Sequence, residues 1–166
     1  MEHRITALAD FYRRVQTERM QGIPILNLAL DVETVGFEWR SAAEPGAPSV
    51  AEGVLITPWF MSLVRLPEAL EEHGGRVSRK AVRDFGSERF EFIGAHDPAI
   101  GYHETCALFS PMGGFASHAQ AVETALASLA LLRPAPEPVE AVPEAPPVPS
   151  RRAFFMARRP VPGAPT

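Results

Sequence analysis

Apolar residues recur at intervals of three and four from Ile5 to Met20: Ile5, Leu8, Tyr12 and Val15 line one side, while Arg13, Arg14, Glu18 and Arg19 fill the other. That spacing predicts an amphipathic helix, and Gly22 and Pro24 stop it. The period then shortens. In ILNLALDVETVGFEWR, Leu26, Leu28, Leu30 and Val32 share one parity, with Asn27, Asp31 and Glu33 on the other, the pattern of a strand with one wet side. Gly36 marks a bend or bulge in it. SAAEPGAPS follows as turn chemistry, with Pro45-Gly46 and Pro48.

The densest apolar run is GVLITPWFMSLVRLP, residues 53–67. Pro58 in its middle cannot donate to a strand ladder, which suits an edge, a bulge or a break. The run therefore reads as two short strands or a kinked one, with Trp59, Phe60 and Met61 at the bend. PEALEEHGGRVSRKAVRDFG is charged and carries Gly74-Gly75, so it reads as a surface connection with a turn of helix. SERFEFIGAHD alternates as a strand, and YHETCALFSP pairs with it across DPAIG as a hairpin. In SHAQAVETALASLALL, Ser117 followed by Gln120 fits a capping box, and Val122, Ala125, Leu126, Leu129 and Leu132 mark one helical face that ends at Pro134. The plan is α+β: an antiparallel β-sheet flanked by an N-terminal and a C-terminal helix, both able to cover one sheet face, with a Pro-rich C-terminal tail.

Of the 166 residues, 17 are proline, and most of these follow residue 133. PAPEPVEAVPEAPPVP lacks periodicity and reads as a polyproline-like spacer. The expected division is a folded domain over 1–133, a Pro-rich linker over 134–150 and a basic, aromatic segment over 151–166. In the last, SRRAFFMARRP sets Phe154, Phe155 and Met156 between Arg151-Arg152 and Arg158-Arg159. Such a block fits a docking strand for its own sheet edge or for another protein, and fits a solubilising tail equally well.

A net charge of −4 offers no broad basic face for nucleic acid. No helical segment reaches the roughly 20 apolar residues of a bilayer span, and MEHRITALADFYRR is too charged for a signal peptide, so a cytoplasmic, soluble protein is expected, without direct membrane insertion. The single cysteine, Cys106, excludes an internal disulfide. A metal or redox site using Cys106 with His103, and His96 nearby, matches no compact zinc spacing and stands as the alternative reading. A nucleophile would be Cys106 or Ser110 with a histidine, yet no nucleophile elbow, phosphate loop, dinucleotide fingerprint or HExxH pattern occurs, so no enzymatic activity and no cofactor are expected. FSPMGGF has Gly113 and Gly114 but lacks the lysine of a phosphate loop and reads as a turn.

Three blocks in this order, GVLITPWFMSLVRLP, CALFSPM leading into SHAQAVETALASL, and RRAFFMARRP, resemble the HybE family of [NiFe]-hydrogenase assembly chaperones, which includes proteins called HupJ and HoxT. The resemblance runs from the first helix to Arg159. It implies a maturation factor that attends the hydrogenase small-subunit precursor before export, through its twin-arginine signal peptide or its iron-sulfur-bearing body, and in some bacteria protects assembly against oxygen. Other maturation proteins are further implied partners. Some relatives carry a rubredoxin domain with paired CxxC motifs, and a chain with one cysteine is not expected to hold that iron site. The long proline spacer departs from the family pattern.

The expected mode is recognition by groove and edge. Trp59, Phe60 and Met61 would offer apolar surface to a client, with Ser110, Pro111 and Phe115 shaping the neighbouring loop and Arg151, Arg152, Phe154 and Phe155 docking from the tail. Trp59 fits a core position as well. Client arginines could meet Asp31, Glu33, Glu68, Glu71 and Glu72, although a solvated acidic face explains these residues equally.

Overall fold

The computed structural model describes residues 2–41, 46 and 48–135. Two helices and six strands follow one another as α1 (Glu2–Glu18), β1 (Glu33–Arg40), β2 (Val50–Ile56), β3 (Met61–Pro67), β4 (Lys80–Phe85), β5 (Glu88–Asp97), β6 (Gly101–Phe109) and α2 (His118–Leu132). The strands form one antiparallel sheet in the order β1-β2-β3-β6-β5-β4.

The central strands are buried on both faces, and their alternation divides two cores. Val54 and Ile56 of β2 and Met61 and Leu63 of β3 pack with Ala121, Ala125 and Leu129 of α2. The intervening Ala51, Leu55, Val64 and Leu66 pack with Leu8, Ala9 and Tyr12 of α1. Successive strand side chains point to opposite faces, so the helices cover opposite faces of the sheet. This corrects the expectation of two helices on one face. A run apolar at every position, as in 53–67, is what a strand covered on both sides requires.

Three further differences stand in the elements. Residues 21–32 form no strand: their backbone closes i to i+3 turns, with Ile23 N donating to Met20 O, Leu26 N to Ile23 O and Leu30 N to Asn27 O. The strand begins only at Glu33, so Leu30 and Val32 are buried while Leu28 is 85 % exposed. Within residues 67–86 there is no helix, and KAVRDF forms the edge strand β4. On α2 the buried line is Ala121, Ala125 and Leu129, leaving Leu126 exposed.

The expected bulge is present. The β1–β2 register shifts between Val35 and Glu38, and Gly36 has φ +60°, where a Cβ would also strike Leu129. The Ser117 side chain caps α2 by accepting from Gln120 N, and Gln120 Oε1 accepts from Ala116 N. Pro45, in the expected turn between β1 and β2, lies outside the described residues.

The sheet curls around α2. Arg133 at the helix end donates to Gly36 O of β1 and Glu52 O of β2, while Ser87 N of the β4–β5 turn donates to Leu132 O. One helix terminus thereby ties strands from the two halves of the sheet.

Candidate binding surface

Residues 57–60, TPWF, close the β2–β3 hairpin. The Thr57 hydroxyl accepts from Trp59 N and Phe60 N at 3.3 and 2.9 Å and donates to Phe60 O at 3.0 Å, while Thr57 N donates to Phe60 O at 2.8 Å. Pro58 occupies a turn position where no backbone donor is needed. Its missing N–H therefore separates two central strands instead of damaging one. Trp59 and Phe60 are half-buried and frame Tyr12 of α1, with ring centroids 6.4 and 5.5 Å from it. Met61 is fully buried in the core under α2 and presents no surface, because it is the first residue of β3 with its side chain turned to that face.

Asn27 joins this turn to the loop after β6. Its backbone N–H donates to Pro58 O at 2.8 Å, and its amide donates to Met112 O and Phe115 O at 3.0 and 2.8 Å. Its side-chain oxygen accepts from Ala29 N at 3.1 Å, an Asx turn. Ser110 and Pro111, joined by a cis peptide, are exposed, and Phe115 packs edge-on against Phe109 at 5.3 Å. The expected site residues Trp59, Phe60, Ser110, Pro111 and Phe115 thus stand at one end of the sheet. Pattern reading missed Asn27, whose three long-range bonds assemble that end.

The same end carries apolar residues facing solvent. Ile25 and Leu28, flanking Asn27, are 52 and 85 % exposed, and Phe109 is 41 % exposed. Beside them His118 Nδ1 accepts from Asp31 N, which places the neutral ring's proton on Nε2, donated to Glu33 at 2.6 Å. Asp31 and Glu33 therefore border the apolar rim. Glu68, Glu71 and Glu72 follow the far end of β3, about 20 Å away by the rise of its seven residues.

That opposite end holds a charge network with buried carboxylates and partly exposed arginines. Arg65 donates to Glu52 and Glu104, Arg83 donates to Glu104, and the Tyr102 hydroxyl donates to Glu104. Burial alone raises the Glu104 carboxyl, but Arg83 and Arg65 outweigh it and hold the group below the usual carboxylate range. The Arg76 guanidinium lies 3.7 Å over the Tyr102 ring and pairs with Glu71 at 2.9 Å. Gly94 makes room for both, since a Cβ there would strike the Arg76 carbonyl and the Tyr102 ring.

His103 and Cys106 are not brought together. They lie three residues apart on β6 and so face opposite sides of the sheet. His103 is buried between Tyr12 and the Gly101 carbonyl, and burial lowers its pKa. Burial raises the Cys106 thiol, which favours the protonated form. The described residues contain no cluster of three or more His, Cys, Asp or Glu suited to a metal ion. No described helix is long and apolar enough to cross a membrane. Arg151, Arg152, Phe154 and Phe155 lie outside the described residues.

The fold and its loops define an antiparallel scaffold, covered on both faces at its central strands, that presents an apolar rim at one end. The family model for the [NiFe]-hydrogenase assembly chaperone HybE matches residues 3–157, and the chain belongs to that family. It is 40 % identical to the protein HoxT of Cupriavidus necator over 166 aligned residues, 96 % of this chain and 92 % of that protein. It is 35 % identical to the probable rubredoxin HupJ of Rhodobacter capsulatus over 76 % of this chain, a match spanning 44 % of that longer protein. The solution structure of HybE from Escherichia coli shares the fold, with a TM-score of 0.54 at 19 % identity over 95 % of this chain and 91 % of that one.

Proposed function

We propose that this hydrogenase maturation chaperone acts without chemistry of its own, in the cytoplasm, by holding the small-subunit precursor of a [NiFe]-hydrogenase before export. The apolar rim assembled by Asn27 receives the apolar stretch of the precursor's twin-arginine signal peptide. Trp59, Phe60, Ser110, Pro111 and Phe115 frame that contact, and Asp31 and Glu33 receive the arginines. The observation that carries this reading is the exposure of Leu28 and Ile25 on a segment pinned by three backbone carbonyls. Apolar side chains held rigidly in water are what a contact surface needs, because little conformational freedom remains to be lost on binding.

The alternative, metal or redox chemistry at Cys106 and His103, is disfavoured by their placement on opposite sheet faces. The two tryptophans, Trp39 and Trp59, allow a direct test. In Trp39→Phe protein, Trp59 is the sole indole, and adding the synthetic signal peptide should shift its emission to the blue as water is displaced. Unchanged emission at a peptide concentration that saturates binding by calorimetry would remove Trp59 from the contact.

A further inference from the structure

At the end of the molecule remote from the apolar rim, a cavity of about 290 Å³ is lined by Arg65, Arg76 and Arg83 together with Glu71, Tyr102 and Glu104. We propose that this cavity binds a carboxylate, supplied by an acidic side chain or chain terminus of a partner polypeptide. It is a second anchoring point, and it does not depend on what the rim binds.

The donor inventory points to an anion. A guanidinium has three nitrogens, all donors and none an acceptor. Arg65 bonds through Nε and Nη1, Arg76 through Nε and Nη2, and Arg83 through Nε and Nη2. Among the described residues, Arg65 Nη2, Arg76 Nη1 and Arg83 Nη1 have no partner. Three cationic donor groups on one cavity thus remain unused. The Glu104 oxygens, in contrast, already accept from two arginines and a tyrosine.

Fixed geometry adds to this. Arg83 is locked onto Glu104, and Arg76 is stacked on Tyr102 and tied to Glu71, so the remaining Nη donors are oriented before any ligand arrives. Each unused Nη group offers a charge-assisted donor that a carboxylate oxygen accepts. Glu71 and Glu104 in the same wall oppose a second negative charge, which favours a monoanionic carboxylate over phosphate. The Arg76 and Arg83 side chains are 42 and 40 % exposed, so a ligand reaches them from solvent.

The test uses the full-length ¹⁵N-labelled chain and the peptide Ac-Gly-Glu-Gly-NH2, against Ac-Gly-Gln-Gly-NH2, sodium acetate and inorganic phosphate. The glutamate peptide should shift the Nε–Hε resonances of Arg65, Arg76 and Arg83 and bind about tenfold tighter than the glutamine peptide, the effect of one charge-assisted hydrogen bond. Arg76→Gln, which leaves the Arg65, Glu104 and Arg83 bonds in place, should weaken it by a similar factor. Tighter binding of the peptide than of acetate assigns the polypeptide source, and equal binding at the same three arginines assigns a free carboxylate. Equal response to the glutamate and glutamine peptides, tighter binding of phosphate, or undiminished binding by a folded Arg76→Gln protein would overturn the proposal.

Discussion

Arg4 carries its charge into the interior, where its guanidinium donates to Pro67 O at 3.1 Å and Ile100 O at 2.9 Å, with a longer bond to Ala69 O. It ties α1 to the end of β3 and to the β5–β6 turn. Losing it leaves buried carbonyls unsatisfied, so Arg4→Ala should lower stability by about 2–4 kcal/mol, read from the urea midpoint at constant slope. His103 adds a pH dependence of known sign. Its folded pKa is lowered from 6.5 by burial, so the unfolded chain takes up the proton first as pH falls. The stability held by the neutral ring is complete above about pH 6.5 and drains below it, by up to about 1.4 kcal/mol per pH unit. Glu104, also depressed, loses its contribution only below its ordinary value of 4.5, so the two fall in separate windows. Denaturation between pH 7 and 5 should therefore show an acid loss that is smaller in His103→Gln.

At the scale of elements, what the chain made legible was periodicity with a stop signal beside it. Both helices and the β5–β6 hairpin were readable for that reason, and Pro58 located the break between two strands. The misreadings share another cause. Residues 26–32 alternate like a strand, yet Asn27 offers an Asx turn and long-range donors that compete with a ladder, and the backbone follows Asn27. KAVRDF is charged because it is a sheet edge, and edge strands lose the apolar signal that identifies inner ones. Asn27→Ala should accordingly loosen the apolar end, with faster amide exchange at residues 26–30 and at Thr57, Trp59 and Phe60, and little change on β5.

The contact residues proposed on the turn and loop follow from the apolar run around Pro58 and from the resemblance of the blocks that hold them, and the structure brings Trp59, Phe60 and Phe115 to one end of the sheet. The arginine-lined cavity could not be read from sequence, since Arg65 and Arg83 are brought to Glu104 by strand order, across sequence separations of 39 and 21 residues. Met61 shows the converse limit: adjacency to Trp59 and Phe60 suggested shared exposure, and strand geometry turned it inward.

Across the folded domain within residues 2–134, the sheet separates an apolar rim at one end from an arginine-lined cavity at the other. Its two helices cover opposite faces over the central strands, while Val82 of β4 and Ile93 of β5 stay exposed on the face away from α2, and the loops at the two ends are where side chains for contact collect. Leu28 and Leu131 provide a matched pair for testing the rim, because both leucines are at least 80 % exposed and neither belongs to the core. Leu28 lies beside Asn27, while Leu131 lies near the end of α2. The decisive measurement is the affinity of each aspartate variant for a purified [NiFe]-hydrogenase small-subunit precursor bearing its signal peptide. Removing one buried leucine contact is worth about 1.5–3 kcal/mol, so Leu28→Asp should bind at least about tenfold more weakly. Leu131→Asp should bind as the unaltered chain does. Equal affinities for the two variants, whether both unchanged or both weakened, would contradict the account.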